Sequence, residues 1–187
     1  VYDWASKATS DYEQARVTIA NCMGALSDEI VFTYGATDGL NMVSESLALQ
    51  WVKTDQVILV SPLEHHANLL PWQRIAKKNN AKIMLLPLDR HYQIDYEQLS
   101  SMLKALPVAM IAVTHMSNVT GTIFDIKRIC ALANQIPVVV DGTQATSHLS
   151  INVHDLGCAV YVWSAHKMYG PTGVGALYIA SQYHDDI

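Results

Sequence analysis

The sequence predicts an α/β protein with a mostly parallel seven-stranded sheet and helices on both of its faces. Short runs rich in Val, Ile and Leu alternate along the chain with segments of helical periodicity. These apolar runs do not alternate strictly between polar and apolar residues, which is typical of strands that are covered on both faces. Strands and helices that follow one another in this way favour a parallel sheet joined by crossover helices.

An amphipathic helix is expected first. Its apolar residues recur at helical spacing: Tyr12, Ala15, Ile19, Cys22 and Met23. The pattern predicts a helix that ends near Gly24, and it places Cys22 on the buried stripe of that helix.

Seven later segments have the composition of strands. They are IVFTY (30–34), QVILVS (56–61), AKIMLLPL (81–88), VAMIAVTH (108–115), PVVVDG (137–142), AVYVWSA (159–165) and VGALYIA (174–180). Helical patterns lie between several of them, around residues 37–49, 68–79, 96–105 and 125–135.

Small and polar residues follow five of the predicted strands. They are Gly35-Ala36-Thr37, Glu64-His65-His66, Ser117-Asn118, Asp141 through Gln144, and Ser164 through Lys167. In open α/β sheets the ligand binds at the carboxyl ends of the strands. We therefore expect these five clusters to meet at one edge of the sheet.

Lys167 follows the apolar run AVYVW and precedes a turn rich in Gly and Pro. Its position at the end of a buried strand predicts burial, which favours the neutral amine that condenses with an aldehyde to form a Schiff base. The ordinary alternative is a lysine that extends its charge into solvent. The four other clusters favour the chemical role.

Asp141 closes a run of three valines and needs a cationic partner if its carboxylate is buried. A protonated pyridine nitrogen would be such a partner, and a protonated ring withdraws electrons from a reacting carbon. Capping of the next helix accounts for Asp141 equally well. Gln144 either hydrogen-bonds the phenolic oxygen of such a cofactor or caps a turn.

The segment from Gly35 to Gly39 precedes a helix, and its small side chains leave the first N–H groups of that helix open to a phosphate. The GxGxxG and GK[ST] fingerprints are both missing. Adjacent His65 and His66 point apart without a third ligand at zinc spacing, so no metal site is predicted. His65 either stacks on an aromatic cofactor or is a buried, hydrogen-bonded residue. Asn118 either orients a ligand or braces its turn.

Composition excludes several classes of partner. The net charge of −5, without a basic run longer than a pair, speaks against nucleic acid. No apolar stretch is long enough to span a membrane. Three widely spaced cysteines without a CxxC pair indicate reduced thiols in the cytoplasm.

Five motifs in series carry a resemblance to a known family. They are YGATDGLN (34–41), EHHANLLPW (64–72), MSNVTG (116–121), VVVDGTQATSH (138–148) and SAHKMYGPTGVGALY (164–178). By these motifs the chain resembles the fold-type I pyridoxal 5′-phosphate enzymes of the class V aminotransferase superfamily, and most closely the Suf/Csd-type cysteine desulfurases. The resemblance implies that residues 1–187 are the cofactor-binding large domain, without the family's N-terminal lead-in and C-terminal small domain.

The resemblance also implies a role for each site residue. Lys167 holds pyridoxal phosphate as a Schiff base and acts with His65 in catalysis, while His65 also stacks on the ring. Asp141 pairs with the ring nitrogen. Gln144 and Asn118 address the phenolic oxygen and the Schiff-base region. The residues that hold the phosphate are Ala36, through its backbone, Thr37, Ser164 and His166.

Two features depart from the family pattern. Ala165 stands where the family usually has Gly, a change that we expect to have a small effect. The family's persulfide-forming cysteine and substrate-binding arginine lie downstream in the small domain. Cys22 and Cys130 are instead predicted on helix stripes and Cys158 at the start of a buried strand, so none resembles an exposed nucleophile. His148 matches a family histidine near the site.

The function implied by the resemblance is that of a cysteine desulfurase. Such an enzyme converts L-cysteine to L-alanine and keeps the sulfur as a persulfide for an acceptor protein in iron–sulfur cluster assembly. A cytoplasmic homodimer is expected, and the fragment alone is expected to be inactive. The alternatives are another class V enzyme (an aminotransferase, a selenocysteine lyase or a kynureninase-like enzyme) and a non-catalytic domain that binds the cofactor or dimerises.

Overall fold

The computed structural model describes residues 2–186. Its strands are β1 (Ile30–Thr33), β2 (Val57–Val60), β3 (Lys82–Leu85), β4 (Val108–Thr114), β5 (Val138–Asp141), β6 (Val160–Ser164) and β7 (Gly175–Ile179). They form one sheet in the order β1-β7-β6-β5-β4-β2-β3. Neighbouring strands from β3 to β6 are parallel, whereas β7 runs antiparallel to both β6 and β1. The mostly parallel seven-stranded sheet that the sequence predicts is confirmed.

Seven α-helices accompany these strands within the described residues. They are α1 (Asp3–Met23), α2 (Ala36–Glu45), α3 (Leu47–Trp51), α4 (Leu70–Asn79), α5 (Tyr96–Ala105), α6 (Ile126–Ala133) and α7 (Val153–Leu156). Asp95 and Asp125 begin α5 and α6 by accepting backbone N–H groups of the first turn, as N-cap carboxylates do. The helix predicted at 37–49 is divided at Ser46, whose backbone leaves the helical region.

Two hydrophobic cores cover the two faces of the sheet. Leu99 of α5 and Ile129 of α6 pack with one face of the central strands. Leu40 of α2 and Trp72 of α4 pack with the other. Successive residues of a strand alternate between these cores, which explains why the strand sequences are apolar throughout.

The expected buried stripe of α1 is wrong for most of its residues. Only Ala20 and Met23 of α1 are buried, and Cys22 is exposed. The reason is that α1 contacts the edge strand β1 and the turn before it, and does not lie across the centre of the sheet. The end of the helix agrees with the prediction, since Gly24 terminates it with φ 65°.

The other two cysteines are more enclosed. Cys130 on α6 is half-buried and Cys158 before β6 is buried, as predicted. Within residues 2–186, no helix has both the length and the hydropathy needed to cross a bilayer.

Candidate active site

A cavity of about 230 Å³ opens at the carboxyl edge of the sheet. Its wall includes every residue for which the sequence predicts cofactor contact: Ala36, Thr37, His65, Asn118, Asp141, Gln144, Ser164, His166 and Lys167. The fold therefore brings together residues that are up to 131 positions apart in the chain, because the strands that precede them end side by side. His148, by contrast, is exposed and does not line the cavity.

The N-terminus of α2 forms one end of the cavity. Gly35 precedes it with φ 151° and ψ 177°, a conformation that favours glycine. The N–H of Ala36 donates to Oγ of Ser164 at 2.8 Å, which fastens the helix to the end of β6. The N-cap residue Gly35 supplies no side-chain acceptor to the first turn. Ala36 and Thr37 line the cavity, so the positive end of the helix dipole faces an anion there, while the N–H of Ala36 itself is bonded to Ser164.

The backbones behind this helix are in close contact. A Cβ at Gly175 would lie 2.6 Å from Cα of Gly35 and 2.6 Å from the carbonyl oxygen of Trp163. Only glycine lets β7 approach the Gly35 turn this closely. The N-terminus of α2 is therefore held close to Gly175, the first residue of β7.

Asp141, the last residue of β5, lies on the cavity floor with 6% of its surface exposed. Its Oδ1 accepts a hydrogen bond from the N–H of Thr143 at 3.0 Å. Burial raises the pKa of the Asp141 carboxyl, and the hydrogen bonding of Thr143 and the nearby His65 ring offset part of this rise. Within residues 2–186, no Lys, Arg or His forms an ion pair with Asp141. The carboxylate thus faces the cavity without a charged protein partner.

Lys167 lies in the short 3-10 turn Ala165–Lys167 that follows β6. Its side chain lines the cavity but is exposed, so the predicted burial of this lysine is wrong. The reason is that the turn carries Lys167 past the end of the strand, where none of the described residues covers it. The amine is accessible to a ligand in the cavity.

Ala165 fits the turn without strain. Its backbone is absent from the residues with positive φ, so the position does not require glycine. Its N–H donates to the carbonyl of Val174 at 2.9 Å. A Cβ added at Gly170 would lie 3.0 Å from the Ala165 methyl group, so the neighbouring glycine makes room for it.

His65 lies at the start of the 3-10 turn His66–Asn68 and lines the cavity. Its Nδ1 accepts a hydrogen bond from the N–H of Ala67 at 3.1 Å. An Nδ1 that accepts must be unprotonated, which places the proton of a neutral ring on Nε2. The rings of His65 and His66 are 6.1 Å apart and tilted by 45°. Among residues 2–186, no group of three or more His, Cys, Asp or Glu side chains is arranged to hold a metal ion.

Glu64, directly before His65, is hydrogen-bonded on both carboxyl oxygens. Oε1 accepts from the N–H of Thr114 at 2.5 Å, and Oε2 accepts from Nδ2 of Asn68 at 2.6 Å. Burial raises the pKa of Glu64 to about 8, and the negative charge of Asp141 adds to this effect. Glu64 is therefore a protonated acid for the most part at neutral pH.

The turn that carries Asn118 is braced by its neighbour. Oγ of Ser117 accepts weak hydrogen bonds from the N–H groups of Val119 and Thr120, at 3.3 Å each. Asn118 itself is exposed and lines the cavity. Its side chain is left to contact a ligand.

Sequence reasoning missed part of the cavity. Ala67, Thr114 and Met116 also line it. Thr114 is the last residue of β4, and the strand-end rule, applied one residue earlier, would have found it. Met116 follows two positions later and carries no chemical signal that separates it from a core residue.

The floor of the cavity also rests on an unpredicted contact. A Cβ at Gly142 would lie 1.9 Å from the ring of Tyr161, so the Asp-Gly pair is fixed by an aromatic side chain from β6. The Tyr161 hydroxyl is 2.9 Å from Nδ1 of His115, which is buried. Burial lowers the pKa of His115 to about 4, so this pair is neutral at physiological pH. No local sequence motif predicts this contact, because Tyr161, Gly142 and His115 belong to three different strands or the residues that follow them.

The cavity therefore offers four chemical groups to one ligand. They are an uncapped helix N-terminus, a buried carboxylate without a charged partner, an accessible primary amine and an imidazole ring. An anionic group, a cationic ring nitrogen and an aldehyde on one aromatic molecule would match the first three. Pyridoxal phosphate has this combination, so the residues present fit it.

Comparison with known proteins places the chain in context. The family model described as aminotransferase class-V matches residues 1–187. A "Probable cysteine desulfurase" of Xylella fastidiosa is 39% identical over 185 residues, which are 98% of this chain and 44% of the relative. A cysteine desulfurase of Enterobacter sp. strain 638 is 38% identical over 96% of this chain and 45% of the relative.

A solved structure shows the same architecture. The apo cysteine desulfurase from Thermococcus onnurineus superimposes with a TM-score of 0.93 at 34% identity, over 100% of this chain and 46% of that one. The chain thus spans less than half the length of the proteins that it matches.

Proposed function

Because the chain belongs to the class V aminotransferase family, whose model matches all of it, we propose that it is the cofactor-binding part of a pyridoxal phosphate-dependent cysteine desulfurase. The single observation that carries this proposal is the meeting of Lys167, Asp141 and the uncapped N-terminus of α2 around one cavity. The relatives named cysteine desulfurase support the choice of reaction within the family.

The residues of the cavity divide the binding of the cofactor among them. The N–H groups at the start of α2 bind the phosphate, together with the side chains of Thr37, Ser164 and His166. Asp141 pairs with the proton on the ring nitrogen, which gives its buried carboxylate the cation that the protein does not supply. Gln144 donates to the phenolic oxygen.

Lys167 and His65 are the proposed catalytic residues. Nζ of Lys167 would hold the cofactor covalently through its aldehyde group and, when released by the substrate amine, would hold or move a proton. His65 covers one face of the ring with its imidazole, and its Nε2–H is available for proton transfer. Asn118 orients the ligand near the amine. Pyridoxal phosphate, when bound, supplies the aldehyde and the electron-withdrawing ring.

The proposed reaction converts L-cysteine to L-alanine. The bond between Cβ and sulfur of the substrate breaks, the sulfur passes to an enzyme cysteine as a persulfide, and a proton replaces it on the substrate. Burial raises the pKa of Cys130 to about 12 and that of Cys158 as well, so neither is a ready thiolate. Cys22 is exposed but does not line the cavity. We propose that the persulfide-forming cysteine lies outside these 187 residues.

The proposal extends to partners and location. We propose a cytoplasmic homodimer that hands its sulfur to an acceptor protein for iron–sulfur cluster assembly. Tyr34 directly precedes Gly35, and Tyr169 lies two residues after Lys167. Their side chains are 84% and 91% exposed and are available for contact with a second copy of the chain. Light scattering of the purified protein tests the dimer, and a monomer across the micromolar range would contradict it.

Trapping of the cofactor tests the role of Lys167. Pyridoxal phosphate is added to the protein, reduced with borohydride and located by mass spectrometry of the digested chain. The expected result is a visible absorbance band before reduction and an adduct on Lys167 afterwards. Lys167→Ala should lose both, while Lys104→Ala on α5 should keep both. A band that persists in Lys167→Ala would overturn the assignment.

A second candidate function is binding without turnover. It is favoured by the absence of a cysteine from the cavity wall. L-cysteine is added to the loaded protein, and alanine and sulfide are measured. Cofactor colour without either product would support a non-catalytic role for this chain. Product from an amino acid other than cysteine would instead support another class V reaction, such as that of an aminotransferase, a selenocysteine lyase or a kynureninase-like enzyme.

A further inference from the structure

The side chain of Glu64 accepts a backbone hydrogen bond of β4 at a point where the neighbouring strand β2 has already ended. The parallel pairing of β2 with β4 ends at Val60 and Ala112, and the N–H of Ser61 still donates to the carbonyl of Ala112. Beyond this point β4 continues to Thr114 while the chain after β2 turns away. Oε1 of Glu64 accepts the N–H of Thr114, so a side chain completes the edge of the sheet at the cavity wall.

The other oxygen of Glu64 connects the same loop to α4. Nδ2 of Asn68 donates to Oε2 of Glu64, and Oδ1 of Asn68 accepts from Nε1 of Trp72 at 2.9 Å. Both Asn68 and Trp72 are fully buried. The N–H of Asn68 also donates to the carbonyl of His65 at 2.9 Å. His65 is therefore held between an anchored Glu64 and an anchored Asn68.

The charge state of Glu64 is consistent with this position. A second ionised carboxylate beside Asp141 would compete for the cationic end of any ligand in the cavity. Because the pKa of Glu64 is raised to about 8, Asp141 holds the negative charge of the floor near neutral pH. Glu64 can thus bond to Thr114 and Asn68 without adding charge to the site.

We propose that Glu64 is a positioning residue, which fixes the His65 loop to the end of β4 and to α4 so that the His65 ring covers the cavity. The proposal rests on the proposed cofactor function, because it assigns His65 to the face of the pyridoxal ring. Glu64 itself lies behind this wall, and it acts on the ligand through His65.

The test compares Glu64→Ala, Glu64→Gln, His65→Ala and the double variant Glu64→Ala/His65→Ala. Glu97→Gln on an exposed face of α5 is the matched control. Pyridoxal phosphate is titrated into each protein, and its dissociation constant and visible spectrum are recorded. Exchange of the Thr114 amide proton is followed by NMR without cofactor.

Glu64→Ala should weaken cofactor binding by about tenfold and shift the absorbance band in the same direction as His65→Ala. The double variant should bind no more weakly than His65→Ala alone, because the effect of Glu64 passes through His65. Glu64→Gln keeps an acceptor for Thr114, so it should restore part of the binding and keep the Thr114 amide more protected than Glu64→Ala does. Glu97→Gln should match the unmutated protein.

Three results would overturn the proposal. They are an unchanged spectrum in Glu64→Ala, losses that add in the double variant, and a Thr114 amide that exchanges equally fast with Glu, Gln or Ala at position 64. Failure of the proposed function is distinguishable from these, since the unmutated protein would then show no cofactor band at all.

Discussion

Two glutamates, the buried Glu29 beside the edge strand β1 and the partly buried Glu64 beside the cavity, have opposite electrostatic properties. Glu29 precedes β1 and is 3% exposed. It receives four hydrogen bonds, from the N–H of Leu26, from the N–H and the hydroxyl of Ser181, and from Nε2 of His154 at 2.6 Å. Glu64 receives fewer hydrogen bonds, from the N–H of Thr114, from Nδ2 of Asn68 and from the side chain of Ser61.

The surroundings give the two carboxyl groups opposite pKa shifts. Burial acts to raise the pKa of Glu29, but the hydrogen bonds from Leu26, Ser181 and His154 together lower it below the ordinary value. For Glu64, burial prevails over its hydrogen bonds, and Asp141 is a negative neighbour. Burial of a carboxyl group therefore does not by itself mark a functional site. The cavity is distinguished by the buried carboxylate of Asp141, which has no ion-pair partner among the described residues.

The largest effect that we expect comes from the pH dependence of Glu64. Its pKa is about 8 in the folded state against 4.5 for the unfolded group. Between pH 4.5 and about 8, Glu64 is protonated in the folded state and ionised in the unfolded state, so unfolding releases a proton. The contribution of Glu64 to the free energy of unfolding is therefore complete below pH 4.5 and declines as the pH rises to about 8. The slope approaches about 1.4 kcal/mol per pH unit. Urea unfolding of Glu64→Gln across this range should lack that component.

The comparison with Glu64→Gln must be made against the unmutated protein at each pH, because other groups titrate as well. His115 contributes with the opposite sign between pH 6.5 and about 4, since its lowered pKa makes the unfolded state the stronger proton acceptor. Identical pH slopes in Glu64→Gln and the unmutated protein would show that Glu64 is ionised in the folded state.

Removal of Glu29 should have the next largest effect. Glu29→Ala removes the acceptor of Leu26, Ser181 and His154. Because these three residues are exposed and their donors can turn to water, the expected loss is about 2 kcal/mol in the free energy of unfolding at pH 7. Glu29→Gln should lose less, because it keeps one acceptor oxygen. Cofactor affinity should not change with either variant, since Glu29 does not line the cavity. A loss of affinity would break the distinction between the two regions.

Glu29 also predicts an acid limit to stability. Because its folded pKa is lowered, its contribution is present above the unfolded value of 4.5 and is lost as the pH falls towards the folded pKa. This sign is the reverse of that for Glu64. The decline in the free energy of unfolding as the pH falls below 4.5 should therefore be shallower in Glu29→Gln than in the unmutated protein, as measured by urea unfolding at several pH values.

The smallest expected effect is that of His154→Gln. The His154 side chain is 45% exposed, so solvent screens its ion pair with Glu29. We expect a loss of at most about 1 kcal/mol in the free energy of unfolding, measured by urea unfolding. His148→Gln, at another exposed histidine, is the control and should be within about 0.5 kcal/mol of the unmutated protein. Equal losses of unfolding free energy in the two variants would show that the contact between His154 and Glu29 does not stabilise the fold.

The strand-end rule explains why so much of the site was accessible from the sequence. Asp141 and Ser164 each end a run of apolar residues, and chain direction alone decides at which edge of a parallel sheet they lie. The sequence alone therefore predicts that the residues after those runs converge at one edge of the sheet. Their individual roles remain predictions.

Long-range contacts explain what the sequence could not show. Glu29 bonds to Ser181 and His154, which are 152 and 125 positions away, and no local pattern links them. The exposure of Cys22 depends on α1 lying at an edge strand, which helical periodicity does not reveal. The exposure of Lys167 depends on the three-residue turn Ala165–Lys167. Sequence patterns do not locate the end of a strand accurately enough to predict so short a turn.

The position of β7 has a consequence for the order in which the molecule is built. β7 is the last of these seven strands in chain order, yet it lies between β6 and β1 and is the strand to which β1 is hydrogen-bonded. The earliest strand must therefore wait for the latest before it can join the sheet, and closures over such long stretches of chain are slow. The bond between Ala36 and Ser164 spans 128 positions and lies beside this junction. The end of the cavity formed by α2 and Ser164 can thus be completed only after the whole stretch from β1 to β7 has been synthesised.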